Sequence, residues 1–272
     1  MKKLLSSAFA LIAVSFAYAQ GNVDVTTQLG TSNMALVNQT GLMNGNNLTQ
    51  AGNLNYATVD QLGIGNTNVG WSQGNRNSID VDQIGWGNAN SSFQYGNRND
   101  AKTEQYGWFN DVDQLQDGNR NDAYAFQWGS NNEADQTQIG NRNDASSIQV
   151  GMDNTSIQDQ TGRRNSASVV QYGAYNWAHQ LQEGDDNSAN HYQDGVGNWV
   201  DSHQYGDDNT SAGIQVGFGN GLVQYQYGDN NGAYDMQIGT SNFTQVTQTG
   251  QYHLHLGTQM GVGNTMYVTQ SN

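Results

Sequence analysis

The sequence contains no cysteine and no proline, and only nine of its 272 residues are Lys or Arg. The absence of cysteine excludes a disulfide framework, Cys-ligated zinc and thiol catalysis. The scarcity of cations argues against nucleic acid as a partner, because phosphate neutralisation requires clustered Lys and Arg. Hydrophobic residues make up 35% of the chain, too little for an ordinary globular core. Disordered linkers are usually rich in proline, however, whereas stacked β-strands exclude it.

The first segment has the features of an export signal. Lys2 and Lys3 precede an apolar run from Leu4 to Ala17, and Ala17-Tyr18-Ala19 fits a small-x-small cleavage site. These features predict a secretory signal peptide over residues 1–19 and a secreted product. The apolar run is shorter than the roughly 20 residues that span a bilayer, and no second run follows it. We therefore expect no transmembrane span.

An 11-residue repeat runs through the rest of the chain. Gln recurs from Gln28 to Gln270 with Ser72 as the one exception. Gly recurs two positions later from Gly30 to Gly261, and Asn five positions later from Asn33 to Asn264 except at His253. A disordered tract would not keep this phase without an insertion. The repeat predicts an amide and glycine ladder for self-assembly, whose central members are Gln94, Gly96, Asn99, Gln105, Gly107, Asn110, Gln116, Gly118, Asn121, Gln127, Gly129 and Asn132.

Each unit is typical of a strand followed by a tight turn. In the segment 121–127, alternate residues share one face because successive side chains of a strand point to opposite sides. Gly129 then permits a turn in which a Cβ would collide. We expect Asn132 to end that turn, since Asn tolerates left-handed backbone angles.

A second, 22-residue period lies over the first. Alternate units carry Ala two positions after Asn, whereas the units between them carry bulkier or amide residues, so two kinds of strand alternate. This pattern predicts an all-β fold, a two-sheet parallel β-solenoid of about eleven 22-residue coils with two strands per coil, which forms a cross-β fibre on assembly. The predicted inward Ala ladder includes Ala101, Ala123, Ala145, Ala167 and Ala189.

Amide hydrogen bonds, more than apolar burial, are expected to stabilise this fold. A buried amide without a partner costs roughly 1–3 kcal/mol. In coils stacked about 4.8 Å apart, each Gln or Asn can bond the same residue in the coil before and the coil after. The two end coils then keep unsatisfied edges, which makes the chain itself the expected partner.

The two turns of each coil differ in chemistry. One edge of the solenoid carries a charged turn column, in which we expect Asp100, Asp122 and Asp144 to compensate the arginines. A solvated turn and lateral pairing between fibres both stay open as interpretations of this column, and an interaction surface is the favoured interpretation of the apolar column at the other edge. The charged column comprises Arg76, Arg98, Arg120, Arg142, Arg164, Asp186 and Asp208. The apolar column comprises Met43, Ile64, Trp86, Trp108, Phe109, Met152, Tyr175, Val196, Phe218 and Val262.

No catalytic constellation, cofactor motif or metal site emerges from the sequence. The spacing of His179, His191 and His203 is out of phase with the repeat, so these histidines are expected not to stack. His253 and His255 share one side of a strand, but a pair without a third ligand is weak support for a metal. We expect no enzymatic activity.

The repeat resembles the curlin repeat family, the subunits of curli, which are bacterial extracellular amyloid fibres. The family pattern Ser-x5-Gln-x-Gly-x-x-Asn-x-Ala-x3-Gln is matched in its second part by Gln94, Gly96, Asn99, Ala101 and Gln105. Equivalent stretches cover essentially all of residues 22–272, with Asn usually in the family's Ser position. Here both turns of each coil carry the Gln-x-Gly-x-x-Asn motif.

The resemblance implies secretion through a curli-type outer-membrane pore, assembly at the cell surface with a nucleator protein, and a role in biofilm matrix and adhesion. Alternatives are a minor nucleating or adhesive subunit on such fibres, or a monomeric ice-binding solenoid. The strand Asn22–Gln28 places Asp24 and Thr26 inward, where a lone carboxylate is costly. We hypothesise that Gln20–Thr27 frays from the core and serves as an export or docking tag.

Overall fold

The computed structural model describes residues 21–272, and all of the regular structure in this range is β-strand. The 11-residue unit recurs as a strand and a short turn. The strands are β1 Val23–Thr31, β2 Met34–Leu42, β3 Gly45–Asn53, β4 Tyr56–Ile64, β5 Thr67–Asn75, β6 Ser78–Trp86, β7 Ala89–Asn97, β8 Asp100–Trp108, β9 Asp111–Asn119, β10 Asp122–Ser130, β11 Glu133–Asn141, β12 Asp144–Met152, β13 Thr155–Arg163, β14 Ser166–Ala174, β15 Trp177–Asp185, β16 Ser188–Val196, β17 Trp199–Tyr205, β18 Thr210–Phe218, β19 Gly221–Tyr227, β20 Gly232–Thr240, β21 Phe243–Thr249, β22 Leu254–Val262 and β23 Thr265–Ser271.

Odd-numbered and even-numbered strands form separate parallel sheets of twelve and eleven strands. Each strand pairs with the strand two places along the chain, and residues one coil apart lie side by side, as Gln105, Gln127 and Gln149 do. The predicted two-sheet parallel β-solenoid of about eleven coils is confirmed. We call the two layers the odd sheet and the even sheet.

The interior lies between the two sheets and is mainly polar. Side chains alternate between buried and exposed along each central strand, as the pleat requires. Gln, Asn and Ser fill most of the buried positions. Apolar residues form three small clusters, the largest of which comprises Leu48, Ala57, Val59, Ile79 and Val81.

The turns use two left-handed positions in each unit. The Gly of the Gln-x-Gly motif has a positive φ, 133° at Gly129, and the residue two positions later also has a positive φ, 53° at Asn131 and 60° at Arg120. The prediction that Asn132 supplies the left-handed angle is therefore wrong by one residue. Asn132 is instead buried, and its side chain joins neighbouring coils.

The N-terminal strand is paired along its length. β1 lies in register with β3 from Val23 to Thr31, and Asp24 accepts hydrogen bonds from Asn46 Nδ2 at 2.6 Å and Thr26 Oγ1 at 2.9 Å. The premise that Asp24 is a lone carboxylate is therefore wrong. The predicted signal peptide, residues 1–19, lies outside the described residues. Within the range that the structure describes, no helix is long and apolar enough to cross a membrane.

Candidate functional site

The Gln residues form one hydrogen-bonded column in each sheet. Gln105 Nε2 donates to Gln127 Oε1 at 3.0 Å, and Gln127 Nε2 donates to Gln149 Oε1 at 2.9 Å. The second N–H of Gln127 donates across the core to the Asp111 carbonyl oxygen at 2.9 Å. Each interior amide thus bonds the coil before, the coil after and the opposite sheet, so its polar atoms are satisfied only while its neighbours are present.

Ser72 interrupts the column of the odd sheet but preserves one of its two hydrogen bonds along the column. Its hydroxyl donates to Gln94 Oε1 at 3.1 Å, while Gln50 on the other side retains a hydrogen bond from its Nε2 to the Met34 carbonyl oxygen at 3.2 Å. A small hydroxyl residue can therefore replace one amide, because it still supplies a donor to the following coil.

The Asn residues connect the turns. The backbone N–H and the Nδ2 of Asn132 both donate to Asn110 Oδ1 at 3.1 Å, and Nδ2 also donates to the Gly151 carbonyl oxygen at 3.1 Å. Asn110 lies in the preceding coil and Gly151 in the following one. The Gly backbones pack so closely that a Cβ on Gly129 would collide with that same carbonyl of Gly151. The predicted amide and glycine residues therefore lie together in continuous columns, and their part in self-assembly stays a prediction.

The predicted Ala residues lie in register on the inner face of the even sheet. Ala101, Ala123, Ala145, Ala167 and Ala189 are buried. Across the core, a second Gln column runs through Gln114, Gln136, Gln158 and Gln180, with Nε2···Oε1 distances of 2.9 Å, 2.8 Å and 3.0 Å. Small side chains on one sheet thus leave room for amides on the other.

The charged turn column forms one edge of the solenoid, here named the charged edge. Its residues, from Arg76 to Asp208, all adopt left-handed angles, with φ between 56° and 61°. Asn and Gly adopt this conformation more readily than Arg, so the backbone of the turn does not explain the presence of Arg. We infer that Arg occurs here because of its charged side chain. A groove lined by these arginines and a hydrogen-bonded Asn column runs along the edge.

The arginines of the charged edge are not compensated as predicted. In residues 21–272, Arg164 pairs with Asp186 and the neighbouring Arg163 pairs with Asp185 at 2.7 Å, but the four preceding arginines of the column form no ion pair. Asp100, Asp122 and Asp144 lie instead in register with one another on the outer face of the even sheet. The expected neutralisation by these aspartates is wrong, because their side chains belong to a strand face and not to the turn.

The apolar turn column lies on the opposite edge and is interrupted. Trp86 and Trp108 are in contact, with ring centroids 6.1 Å apart. Ser130 follows Trp108 in register, and Thr240 follows Phe218, so the surface divides into short patches. The five aromatic members are each more than half exposed: Trp86, Trp108, Phe109, Tyr175 and Phe218. An unbroken apolar column is therefore not present, and an interaction role for the separate patches stays a prediction.

Stacked carboxylates on the outer face of the even sheet have raised pKa values. Burial, together with the charges of Asp100 and Asp144 in the adjacent coils, raises the pKa of Asp122 to about 6. Burial likewise raises the pKa of Asp100 and of Asp144. Because the folded state holds a proton on Asp122 at a higher pH than an ordinary carboxyl does, the contribution of this group to the stability of the folded state is fully present below about pH 4 and is lost as the pH rises through about 6.

We predict that Asp122→Asn stabilises the solenoid at neutral pH. The substitution removes the middle charge of three, and the gain is about 1 kcal/mol or less because the site is half exposed and screened by solvent. Thermal unfolding of variant and wild type, compared between pH 4 and 7, measures it. The difference in unfolding midpoint between variant and wild type should be largest at pH 7 and close to zero at pH 4. A difference that does not change with pH would contradict the raised pKa of Asp122. Other titrating groups, such as the buried His191, contribute equally to the pH dependence of both chains, so their contributions cancel in the comparison.

A polar cluster on the outer face of the odd sheet was missed by the sequence analysis. His179 on β15 is in register with Asp201 on β17, and His203 follows Asp201 on the same face of that strand. Asp201 Oδ1 lies 3.0 Å from His179 Nδ1 and 2.9 Å from His203 Nε2. As predicted, His179 and His203 do not stack in register, but one full coil plus one pleat repeat places them diagonally on one face, with two ring nitrogens 3.4 Å apart. His191 alone is apart from them, buried on the other sheet.

The electrostatics of this cluster follow from its alternating charges. Hydrogen bonds to Asp159 and Asp201 raise the pKa of His179 to about 9. Burial acts to raise the pKa of Asp201, but the donors His179, His203 and Tyr225 outweigh it and hold this pKa below its usual range. His179, Asp201 and His203 form a set of side chains that could hold a metal ion.

The fold and its ladders define a repeat protein of the parallel β-solenoid class. A family model described as the curlin associated repeat matches residues 162–190, which include Gln171, Gly173, Asn176, Gln182 and Gly184 of the ladder. The match confirms the predicted resemblance to the curlin repeat family. No curated protein matches the chain. The repeat and the solenoid fold together point to a structural protein.

Proposed function

We propose that the chain is a secreted structural subunit that assembles end to end into extracellular curli-type amyloid fibres, which contribute to biofilm matrix and adhesion. The observation that carries this proposal is the unbroken parallel register, one coil per step, across both sheets. Such stacking has no intrinsic end, since every coil presents to the next the same hydrogen-bonding groups that it receives from the one before. The curlin repeat at residues 162–190 supports the same interpretation, and a nucleator and a secretion pore of the curli type are proposed as partners.

The terminal strands are the growing surfaces. β1 and β2 at one end and β22 and β23 at the other each have a strand neighbour on one side only. The ladder stops there too: Gln28 donates to Gln50, and Gln270 accepts from Gln248, and within residues 21–272 the column continues past neither. A second copy docked on an end would complete both the backbone pairing and the amide column.

The two sheets differ by one strand, which makes the ends unequal. With twelve strands on the odd sheet and eleven on the even sheet, head-to-tail stacking leaves one extra strand per subunit. We propose that β1, every residue of which is exposed, leaves the fibre core when a second copy docks, so that Gln50 on β3 takes the place of Gln28 at the end of the amide column. Gln20–Thr27 would then be accessible as an export or docking tag.

Seeded polymerisation tests the proposed function. The purified chain without residues 1–19 should assemble after a lag, and preformed fibres should abolish the lag because they offer complete end coils. Fibre diffraction should show a meridional spacing of about 4.8 Å. A chain that stays monomeric for days in the presence of its own sonicated aggregates would contradict the proposal.

The same seeding distinguishes a major subunit from a nucleator. A major subunit should respond to seeds of its own kind, whereas a minor nucleating subunit should shorten the lag of another subunit more than its own.

We further propose that the charged edge pairs fibres laterally. Arg76, Arg98, Arg120 and Arg142 form a basic half, and the acidic half of the same edge follows in Asp185, Asp186, Asp207, Asp208 and Asp229. The two halves already pair where they meet within the chain, at Arg163 and Asp185. A second copy of this chain, facing in the opposite direction, would place its acidic half against the unpaired arginines.

We predict that changing Arg98, Arg120 and Arg142 together to Asn thins fibre bundles and leaves single-fibre growth nearly unchanged. Asn keeps the left-handed turn and removes the charge, so the fold should be retained. Bundle width, measured by electron microscopy across a salt series, should fall with salt in wild type and stay low in the variant, because exposed charges are screened beyond about 8–10 Å at physiological ionic strength. Equal widths in both chains at low salt would rule out lateral pairing by this edge.

A further inference from the structure

Three atoms of the His179, Asp201 and His203 cluster that could ligate a metal form a compact triangle. His179 Nδ1 and Asp201 Oδ1 are 3.0 Å apart, Asp201 Oδ1 and His203 Nε2 are 2.9 Å apart, and the two ring nitrogens are 3.4 Å apart. Ligands bound at about 2.0–2.1 Å in tetrahedral geometry are about 3.3–3.4 Å from one another. The triangle therefore matches one face of such a tetrahedron to within a few tenths of an ångström.

Two further side chains lie where an outer layer of a metal site is expected. Asp159 Oδ2 is 3.7 Å from His179 Nε2, the ring nitrogen that does not face the triangle. The Tyr225 hydroxyl donates to Asp201 Oδ2 at 2.8 Å, the carboxylate oxygen that does not face the triangle. Carboxylates on the free nitrogen of a ligating His, and donors on a ligating carboxylate, orient the ligands in known metal sites.

The cluster is not required by the repeat. The positions that stack the coils point inward, and these five residues all lie on the outer face of the odd sheet, on β13, β15, β17 and β19. In the neighbouring coils the positions in register with His179 are Ile157 and Asp201, and those in register with His203 are Leu181 and Tyr225. The ladder therefore does not explain why two imidazoles and a carboxylate converge here.

We propose that His179, Asp201 and His203 form a binding site for a divalent transition-metal ion, with Zn²⁺ as the favoured ion. Imidazole nitrogen and carboxylate oxygen are ligands that Zn²⁺ accepts in tetrahedral sites. The three ligands leave a fourth position open toward solvent, since each side chain is about one-fifth exposed. A bound ion would cross-link β15 and β17, two adjacent strands of the odd sheet. Its open coordination position could bind water or a ligand from another molecule.

A titration of the purified chain without residues 1–19 with Zn²⁺, measured by calorimetry in excess Mg²⁺, tests this proposal. We expect saturable uptake of one Zn²⁺ per chain, because Mg²⁺ competes for the diffuse carboxylate surface but not for imidazole. His203→Gln should lose this site, whereas His253→Gln, the same change at the charged edge and away from the cluster, should keep it. Asp159→Asn should retain the stoichiometry and weaken affinity about tenfold, as expected of an orienting residue.

A second measurement covers the case in which His203→Gln alters the fold. Co²⁺ bound to the wild-type chain should give the visible absorption of a four-coordinate ion with nitrogen ligands, and Zn²⁺ should remove it in a ratio of one ion to one. Wild-type protein that takes up no Zn²⁺ in excess Mg²⁺, or that takes up equal amounts before and after His203→Gln with the β-sheet circular dichroism unchanged, would overturn the proposal. The cluster would then be an ion-pair network of alternating charges.

Discussion

Replacing Gly129 with alanine is expected to prevent the coil around it from stacking. Gly129 has a φ of 133°, which residues with a Cβ rarely adopt, and the new methyl group would collide with the backbone carbonyl of Gly151 in the next coil. That carbonyl cannot move away freely, because it accepts a hydrogen bond from Asn132 Nδ2 at 3.1 Å. The substitution should lower the free energy of unfolding by about 4 kcal/mol or more, a loss typical of severe changes in a protein core. Thermal unfolding and seeded assembly both measure it.

Gly65→Ala is the matched control. Gly65 also has a positive φ, 67°, but in the described part of the chain nothing lies within 4 Å of the Cβ that the substitution adds. Met43 occupies the equivalent turn one coil earlier with φ 56°, so a side chain is accepted there. The control should cost only about 1 kcal/mol, the ordinary penalty of the left-handed region. Similar losses for the two variants would show that backbone strain, and not the close packing of coils, makes the Gly of each Gln-x-Gly motif necessary.

The fold could be predicted from the sequence because the period alone determines the register. A slip of one residue would move every inward Gln to the outer face, and a slip of one 11-residue unit would place Ala strands against Gln strands. Only an offset of one full coil stacks Gln105, Gln127 and Gln149 together with Ala101, Ala123 and Ala145, and this is the offset that the structure has. Eleven coils of two strands and one additional strand account for the 23 strands of residues 21–272, with one more on the odd sheet than on the even sheet.

The features that were missed lie on the outer faces and in the turns, where the repeat imposes no residue type. The His179 and His203 cluster depends on a diagonal contact between neighbouring strands, which a search for stacking at a fixed spacing does not detect. The expectation that Asp100, Asp122 and Asp144 compensate the arginines rests on their position two residues after an Arg. The first residue of each strand already belongs to the outer face, so sequence proximity was a poor guide to charge pairing.

The polar interior predicts that removing one amide from the ladder is more damaging than removing an apolar group. Gln127→Leu takes away the acceptor of Gln105 Nε2 and the donor to Gln149 Oε1, both buried. Each buried group left without its partner costs roughly 1–3 kcal/mol, so the total is about 2–6 kcal/mol. Val169→Ala removes two buried methyl groups, about 1.6 kcal/mol by transfer alone. We expect Gln127→Leu to give the lower midpoint of unfolding and the longer assembly lag.

Gln127→Ser separates the loss of hydrogen bonds from the loss of side-chain volume. Ser72 already interrupts the other column and still donates to Gln94 Oε1 at 3.1 Å, so a serine at 127 should donate to Gln149 Oε1 in the same way. Although Ser is much smaller than Leu, the Ser variant should be the more stable of the two and should assemble faster. If the Leu variant were the more stable, or if Val169→Ala were as damaging as Gln127→Leu, apolar packing and not amide pairing would limit the stacking of coils. The ladder would then be a consequence of the solenoid, and its Gln residues would owe their regular spacing to some other requirement.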